Sequence, residues 1–250
     1  MEVIKELSGH SGSKIYLMKD DQSSFLVKKI NNVSRNYERL KALDGYLNVP
    51  KIFKYDGVEL TMEYIHGQDM KTYLMLNNPT NLINSLVDMF DKFLLDGYEK
   101  DYTDTYAKFL GFLDSPINPF PFSKDELISR LPKKLFKSML YHGDLTLENI
   151  IFSKNKFYFI DAVTTPFDSC VFDLAKMRQD VECKWFLRHD NIMLDGKLSY
   201  IKNELTGHDK LAKLFNDELL ILMLLRVYLH CTPNSIEQSF VMKEVNRLWK

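Results

Sequence analysis

The hydrophobic pattern of this 250-residue chain changes period once, near residue 68, and that change restricts the fold more than any other feature. Before it, apolar residues gather in short strand-like runs at about 2–8, 13–19 and 24–30, separated by the polar breaks SGHSG and KDDQSS. A charged helical stretch over roughly 33–46 follows and runs out at Asn48-Val49-Pro50. Two more strands, at 51–55 and 58–64, are joined by Asp56-Gly57, a pair suited to a hairpin turn. Beyond residue 68 the spacing turns helical, with segments near 81–96, 101–114 and 124–131. Ser123 and Glu126 form a capping box ahead of the third. A short β-loop insert at 139–162 interrupts the helices, which resume as periodic runs at 171–183, 209–230 and 235–249. The expected organisation is α+β: a small β-rich lobe with one helix (1–66) and a larger, mainly helical lobe (67–250), hinged near 63–69.

Composition removes several classes of function. A formal net charge of −1 gives no broad field towards nucleic acid or an anionic membrane, so neither is an expected partner. The most apolar stretch, 219–225, is far short of the roughly 20 residues that cross a bilayer, so no membrane insertion is expected. The N-terminus, MEVIKELSGHSG, lacks the basic flank and apolar run of a signal peptide, and a cytoplasmic location is expected. Cys170, Cys183 and Cys231 are an odd set without CxxC spacing, which suits a reducing compartment. Zinc sites built on Cys183 with His189, or on His230 with Cys231, lack four visible ligands and are not expected.

The insert carries the chemistry. It reads Leu140-Tyr-His-Gly-Asp-Leu-Thr-Leu-Glu-Asn149-Ile-Ile-Phe, then Phe157-Tyr-Phe-Ile-Asp161-Ala. Phosphoryl transfer needs a group that orients the acceptor hydroxyl and takes its proton, and hard oxygen ligands for the magnesium that neutralises the phosphates. Asp144 suits the first task; Asn149, five residues on, and Asp161, at the end of a strand over 156–160, suit the second. Strands at 149–152 and 156–160 can pair through a turn at 153–155, which brings Asn149 and Asp161 together.

HGDLTLEN with the following FIDA resembles the catalytic loop and metal-binding motif of the aminoglycoside phosphotransferase and choline kinase family, a branch of the protein-kinase-like superfamily. The resemblance implies a protein-kinase-like bilobal fold and a magnesium-dependent phosphotransferase using ATP or GTP. It extends upstream, where the turn in LSGHSGSKIY resembles the family's nucleotide loop, with Ser11 and Gly12 near the phosphates. In Phe25-Leu-Val-Lys28-Lys29-Ile two lysines on opposite strand faces compete for the phosphate-binding role. Lys28 is preferred, because it shares a face with Leu26 and Ile30. The family pairs this lysine with a helical glutamate, and in RNYERLKAL that is Glu38. Glu63 and Ile65 occupy the place where the family's backbone meets the nucleotide base. By the same resemblance His142 is scaffold rather than base, and Asp173, in Asp-Leu-Ala, braces the catalytic loop.

HGD in place of HRD, IDAV in place of DFG, and the absence of an APE-like segment argue against a Ser/Thr protein kinase. Retention of Asp144, Asn149 and Asp161, with Lys28 and Glu38, argues against a pseudokinase scaffold. The acceptor is less defined. Asp96, Glu99, Asp101 and Asp104 are read as a solvated helix start rather than a polycation site. Arg226 and His230 share a helix face in an apolar run, where an internal salt bridge is expected, with contact to an anionic or hydroxylated acceptor as the alternative. The wording of HGDLTLENI and TPFDSCVFDLAK is similar to kinase-like proteins linked to bacterial surface-polysaccharide synthesis. The expected acceptor is therefore a hydroxyl of a small molecule, a sugar or sugar derivative.

Overall fold

The computed structural model describes residues 2–7, 13–22, 24–190 and 192–250. Its residue contacts divide the chain into two units. The first comprises Met1–Asn77, His142–Asp144 and Glu148–Thr165; the second comprises Asn78–Tyr141, Leu145–Leu147 and Pro166–Lys250.

In the first unit the predicted strands form a five-stranded antiparallel sheet. β1 (Glu2–Leu7), β2 (Lys14–Lys19) and β3 (Phe25–Ile30) precede helix α1 (Ser34–Leu43), and β4 (Ile52–Tyr55) and β5 (Glu59–Glu63) follow it. The sheet order is β1-β2-β3-β5-β4. Gly57, at φ +92°, makes the β4–β5 turn, and Asp56 Oδ1 accepts from the Val58 and Glu59 amides. Helix α1 buries Asn36, Arg39, Leu40 and Leu43, one face at helical spacing. A second sheet joins β6 (Gln68–Asp69), just ahead of α2 (Met70–Leu76), to the catalytic hairpin.

The second unit is mainly helical. It contains α3 (Thr80–Phe93), β7 (Gly97–Asp101), α4 (Thr103–Phe109), α5 (Lys124–Arg130) and β8 (Lys134–Ser138). The hairpin strands β9 (Ile150–Ser153) and β10 (Lys156–Phe159) belong to the first unit. The chain then returns to the second as α6 (Cys170–Val181), α7 (Asp195–Gly207), α8 (Asp209–Ala212), α9 (Asp217–Tyr228) and α10 (Ile236–Leu248). The Ser123–Glu126 capping box forms at the start of α5. All twelve residues of α6 are buried, and so are Leu219–Leu225 of α9, which packs against it. A helix apolar all round can be stable in water only as an interior element. The charges in α6 are compensated locally: Arg178 Nη2 meets Glu182 Oε2 at 3.0 Å and Asp217 Oδ1 at 2.6 Å.

Helix α2 and strand β8 were not among the expected elements, and other parts of the layout depart as well. The run at 209–230 is broken at Asn216, whose side chain caps α9 by accepting from the Leu219 amide at 2.8 Å. Helix α7 was not singled out, because only Leu198, Ile201 and Leu205 mark its buried face. Strand β7 pairs with β8, more than thirty residues on, at a place expected to open a helix. Among the described residues no helix is long and apolar enough to cross a membrane.

Candidate active site

The hairpin that carries the HGD chemistry forms as the residues dictate. β9 and β10 pair antiparallel with Ser153 opposite Lys156, and Lys154 and Asn155 both take positive φ, 50° and 61°, as a two-residue hairpin turn requires. The ladder continues past the strands: the Ile160 amide donates to the Asn149 carbonyl at 2.9 Å, which sets Asn149 beside the approach to Asp161. Asn48 holds the hairpin from the other side, its carbonyl accepting from the Phe159 amide at 2.8 Å.

Gly143 lies at φ +88°, and a Cβ there would stand 1.9 Å from the Val163 carbonyl oxygen. The middle position of HGD therefore admits glycine alone. This close approach lets the Val163 amide donate to the His142 carbonyl at 2.9 Å, lacing the HGD loop to the segment after Asp161. His142 is wholly buried, and its Nε2–H donates to the Ile160 carbonyl at 3.0 Å. Burial drives its pKa down to about 4, against the opposing pull of Asp144 and Asp161. A neutral ring bonded in this way is a structural strut.

Asn149 Nδ2 donates to the Asp144 carbonyl at 2.8 Å and lies 3.5 Å from Asp144 Oδ2. That leaves its Oδ1, a hard oxygen, for other use. Asp161 has φ +56°, an uncommon conformation for a residue with a side chain, and its carboxylate is half exposed. Lys29 Nζ donates to Asp161 Oδ1 at 2.9 Å across 132 positions of sequence. Asn36 Nδ2 donates to the same oxygen at 2.9 Å and to the Ala162 carbonyl at 3.0 Å.

The strand lysine is thus corrected. Lys28 points to the other face, where it pairs with Glu59 at 2.7 Å, while Lys29 is 3% exposed and reaches Asp161. Both faces of β3 carry apolar residues, so Leu26 and Ile30 were a poor guide. The face that meets Asp161 is that of Val27 and, opposite Lys29, the fully buried Leu60. Glu38 is corrected too. It stands exposed, two positions from Leu40 and so across the helix from the buried face, and Asn36 takes the inward place. The signal for Asn36 was present in the sequence, four residues before Leu40 and seven before Leu43.

Ser11 and Gly12 lie outside the described residues; they fall between β1 and β2, whose last described pair is Leu7 opposite Ile15. Glu63 ends β5 with its amide bonded to the Lys51 carbonyl at 2.8 Å, and Ile65 follows, buried. In the second unit Asp173 is buried in the first turn of α6. Asp180 braces the loop there, its Oδ2 accepting from the Leu147 amide at 2.6 Å, a role with no local signal in the sequence. Asp168 is a second such anchor, accepting from Lys100, Lys137 and Tyr102 at 2.8–2.9 Å. Arg226 lies over the Phe167 ring, and His230 is exposed beyond α9.

The donor set suits a hard cation. One carboxylate and one amide oxygen are enough for magnesium, which takes its remaining ligands from phosphates and water. Among the described residues no three His, Cys, Asp or Glu side chains converge as zinc would need. Burial pushes the Cys170 and Cys183 thiols up to about 12, away from thiolate ligation.

No protein-family model matches the sequence, and no curated protein matches it. Solved structures do. A candidate fructosamine-3-kinase of Thermobifida fusca superposes with a TM-score of 0.58 at 13% identity, covering 98% of this chain and 92% of that one. A choline/ethanolamine kinase family protein of Mesorhizobium loti gives 0.56 at 15% identity, covering 98% and 86%. Amicoumacin kinase, in complex with AMP-PNP, Ca2+ and Ami, gives 0.55 at 15% identity, covering 97% and 86%. The chain has the protein-kinase-like fold of small-molecule kinases, with an N-terminal sheet and a helical C-terminal part.

Proposed function

We propose that this chain is a small-molecule kinase that moves the terminal phosphate of ATP or GTP to a hydroxyl of a small metabolite, a sugar or sugar derivative. The observation that carries this reading is the meeting of Lys29 and Asp161 at 2.9 Å, in the unit that also holds Asn149 and Asp144. A cation, a metal-ligating carboxylate, an amide oxygen and a second carboxylate are the parts that phosphoryl transfer uses.

In this mechanism Asp161 and Asn149 would hold Mg2+, which when bound would draw off charge from the phosphates. Lys29 holds a phosphate oxygen, and Ser11 and Gly12 are assigned to phosphate binding on the motif resemblance alone. Backbone groups at Glu63 and Ile65 meet the base. Asp144 orients the acceptor hydroxyl and takes its proton as the new oxygen–phosphorus bond forms and the nucleoside diphosphate leaves. Asn149 steadies Asp144 through its bond to the backbone carbonyl. His142 stays neutral and does not compete for the proton.

A sugar-like acceptor is favoured by the likeness to the candidate fructosamine-3-kinase and by the likeness of the motif wording to proteins of surface-polysaccharide synthesis. The test is a screen of sugars, amino sugars and other hydroxylated metabolites with MgATP and MgGTP, reading nucleoside diphosphate release. Acceptor-dependent release that stops when Mg2+ is chelated is expected. A protein that binds neither nucleotide contradicts the proposal.

A further inference from the structure

In kinases of the kind this motif resembles, a glutamate is expected on the helix after the lysine strand. Here the inward position of α1 is an asparagine, and it does not bond the lysine. Asn36 is 5% exposed, and both hydrogens of its Nδ2 are spent, one on Asp161 Oδ1 at 2.9 Å and one on the Ala162 carbonyl at 3.0 Å. A carbonyl can only accept, so the amide nitrogen, not its oxygen, must face this pair.

Three consequences follow. First, Asp161 Oδ1 already takes two donors, Lys29 and Asn36, which leaves the other oxygen, Oδ2, as the one for a cation. Second, the bond to the Ala162 carbonyl holds the Ala162–Val163 peptide, one residue past Asp161, and so braces the backbone next to its φ of +56°. Third, the amide does this without charge. A carboxylate at the same place would face the Asp161 carboxylate and the Ala162 carbonyl with oxygen against oxygen. The neighbouring residue extends the clamp: Arg35 Nε donates to the Thr164 carbonyl at 2.7 Å, and the Thr164 amide donates to the Arg35 carbonyl at 3.0 Å. The first turn of α1 is therefore laced to residues 161–164.

We infer that Asn36 is a positioning residue for the metal ligand Asp161, so that α1 sets metal affinity through a neutral amide. This rests on the proposed role of Asp161. Outer partners of metal ligands typically change affinity by about 10–100-fold when removed.

The experiment is calorimetry of ATP binding with Mg2+ and with EDTA, in the wild type and in Asn36→Ala, Asn36→Ser and Glu38→Ala. The readout is the ratio of the two affinities, the gain that Mg2+ confers. Asn36→Ala and Asn36→Ser are expected to cut that gain about tenfold. Their EDTA affinities stay within about threefold of the wild type, which separates positioning from mere loss of fold. Asn36→Ser, which leaves a small polar group in the space, supplies the result if Asn36→Ala does not fold. Glu38→Ala, on the exposed face, is expected to leave the gain within about twofold. An undiminished gain in the Asn36 variants, or a gain lost in Glu38→Ala instead, overturns the inference and leaves the kinase proposal standing. A wild type whose ATP affinity ignores Mg2+ overturns both.

Discussion

At the scale of single residues the site turns on which of two adjacent lysines faces Asp161. Lys29 is buried and bonded to it, and Lys28 lies on the other face beside Glu59. Replacing each by methionine separates them. Lys29→Met is expected to lower kcat/KM with MgATP on the order of a hundredfold, since it removes the cation that the proposed mechanism assigns to the phosphates. Lys28→Met gives up a part-exposed pair worth less than about 1 kcal/mol, and activity is expected to hold. Equal losses in both variants would contradict the assignment. Asp144, Asn149 and Asp161 could be read together from the sequence because they flank one short hairpin, β9–β10, whose pairing follows from local spacing. Lys29 and Asn36 reach Asp161 across 132 and 125 positions, and no local pattern encodes which strand face that segment will meet.

At the scale of elements, the strands and most helices follow from their apolar periods, and the α5 capping box from two residues three apart. Elements held by distant partners do not. Strand β7 exists because β8 lies beside it, and α7 because three spaced apolar residues find a surface to cover. Two glycines distinguish a local turn from a tertiary approach. Gly57 and Gly143 both have positive φ, but a Cβ at Gly57 meets nothing within 4 Å, whereas one at Gly143 would strike the Val163 carbonyl. Gly57→Ala is expected to cost about 1 kcal/mol, the backbone penalty alone. Gly143→Ala is expected to cost about 2–4 kcal/mol and to impair turnover, because the HGD loop must leave the segment after Asp161. Urea denaturation of the two variants checks this, and equal costs would contradict it.

At the scale of the molecule, buried His142 ties stability to pH. Unfolded, its imidazole takes a proton near pH 6.5; folded, it stays neutral down to about 4. Between those values the unfolded state holds the extra proton, so this contribution is complete above about pH 6.5 and is lost as pH falls towards 4. The loss amounts to roughly 3 kcal/mol over that window. Urea denaturation at pH 7.5 and 4.5 should show a steeper fall in the wild type than in His142→Gln, and parallel falls would contradict the buried neutral ring. The central claim is that Asp144 relieves an acceptor hydroxyl of its proton in a site where Lys29, Asn149 and Asp161 hold a metal–nucleotide. Its most direct test is 31P NMR of MgATP with the acceptor found by screening, run with the wild type and with Asp144→Asn. The wild type should convert the terminal phosphate into a phosphomonoester and release ADP. Asp144→Asn should bind MgATP yet transfer at least about a hundredfold more slowly. Transfer by Asp144→Asn at the wild-type rate would contradict the mechanism.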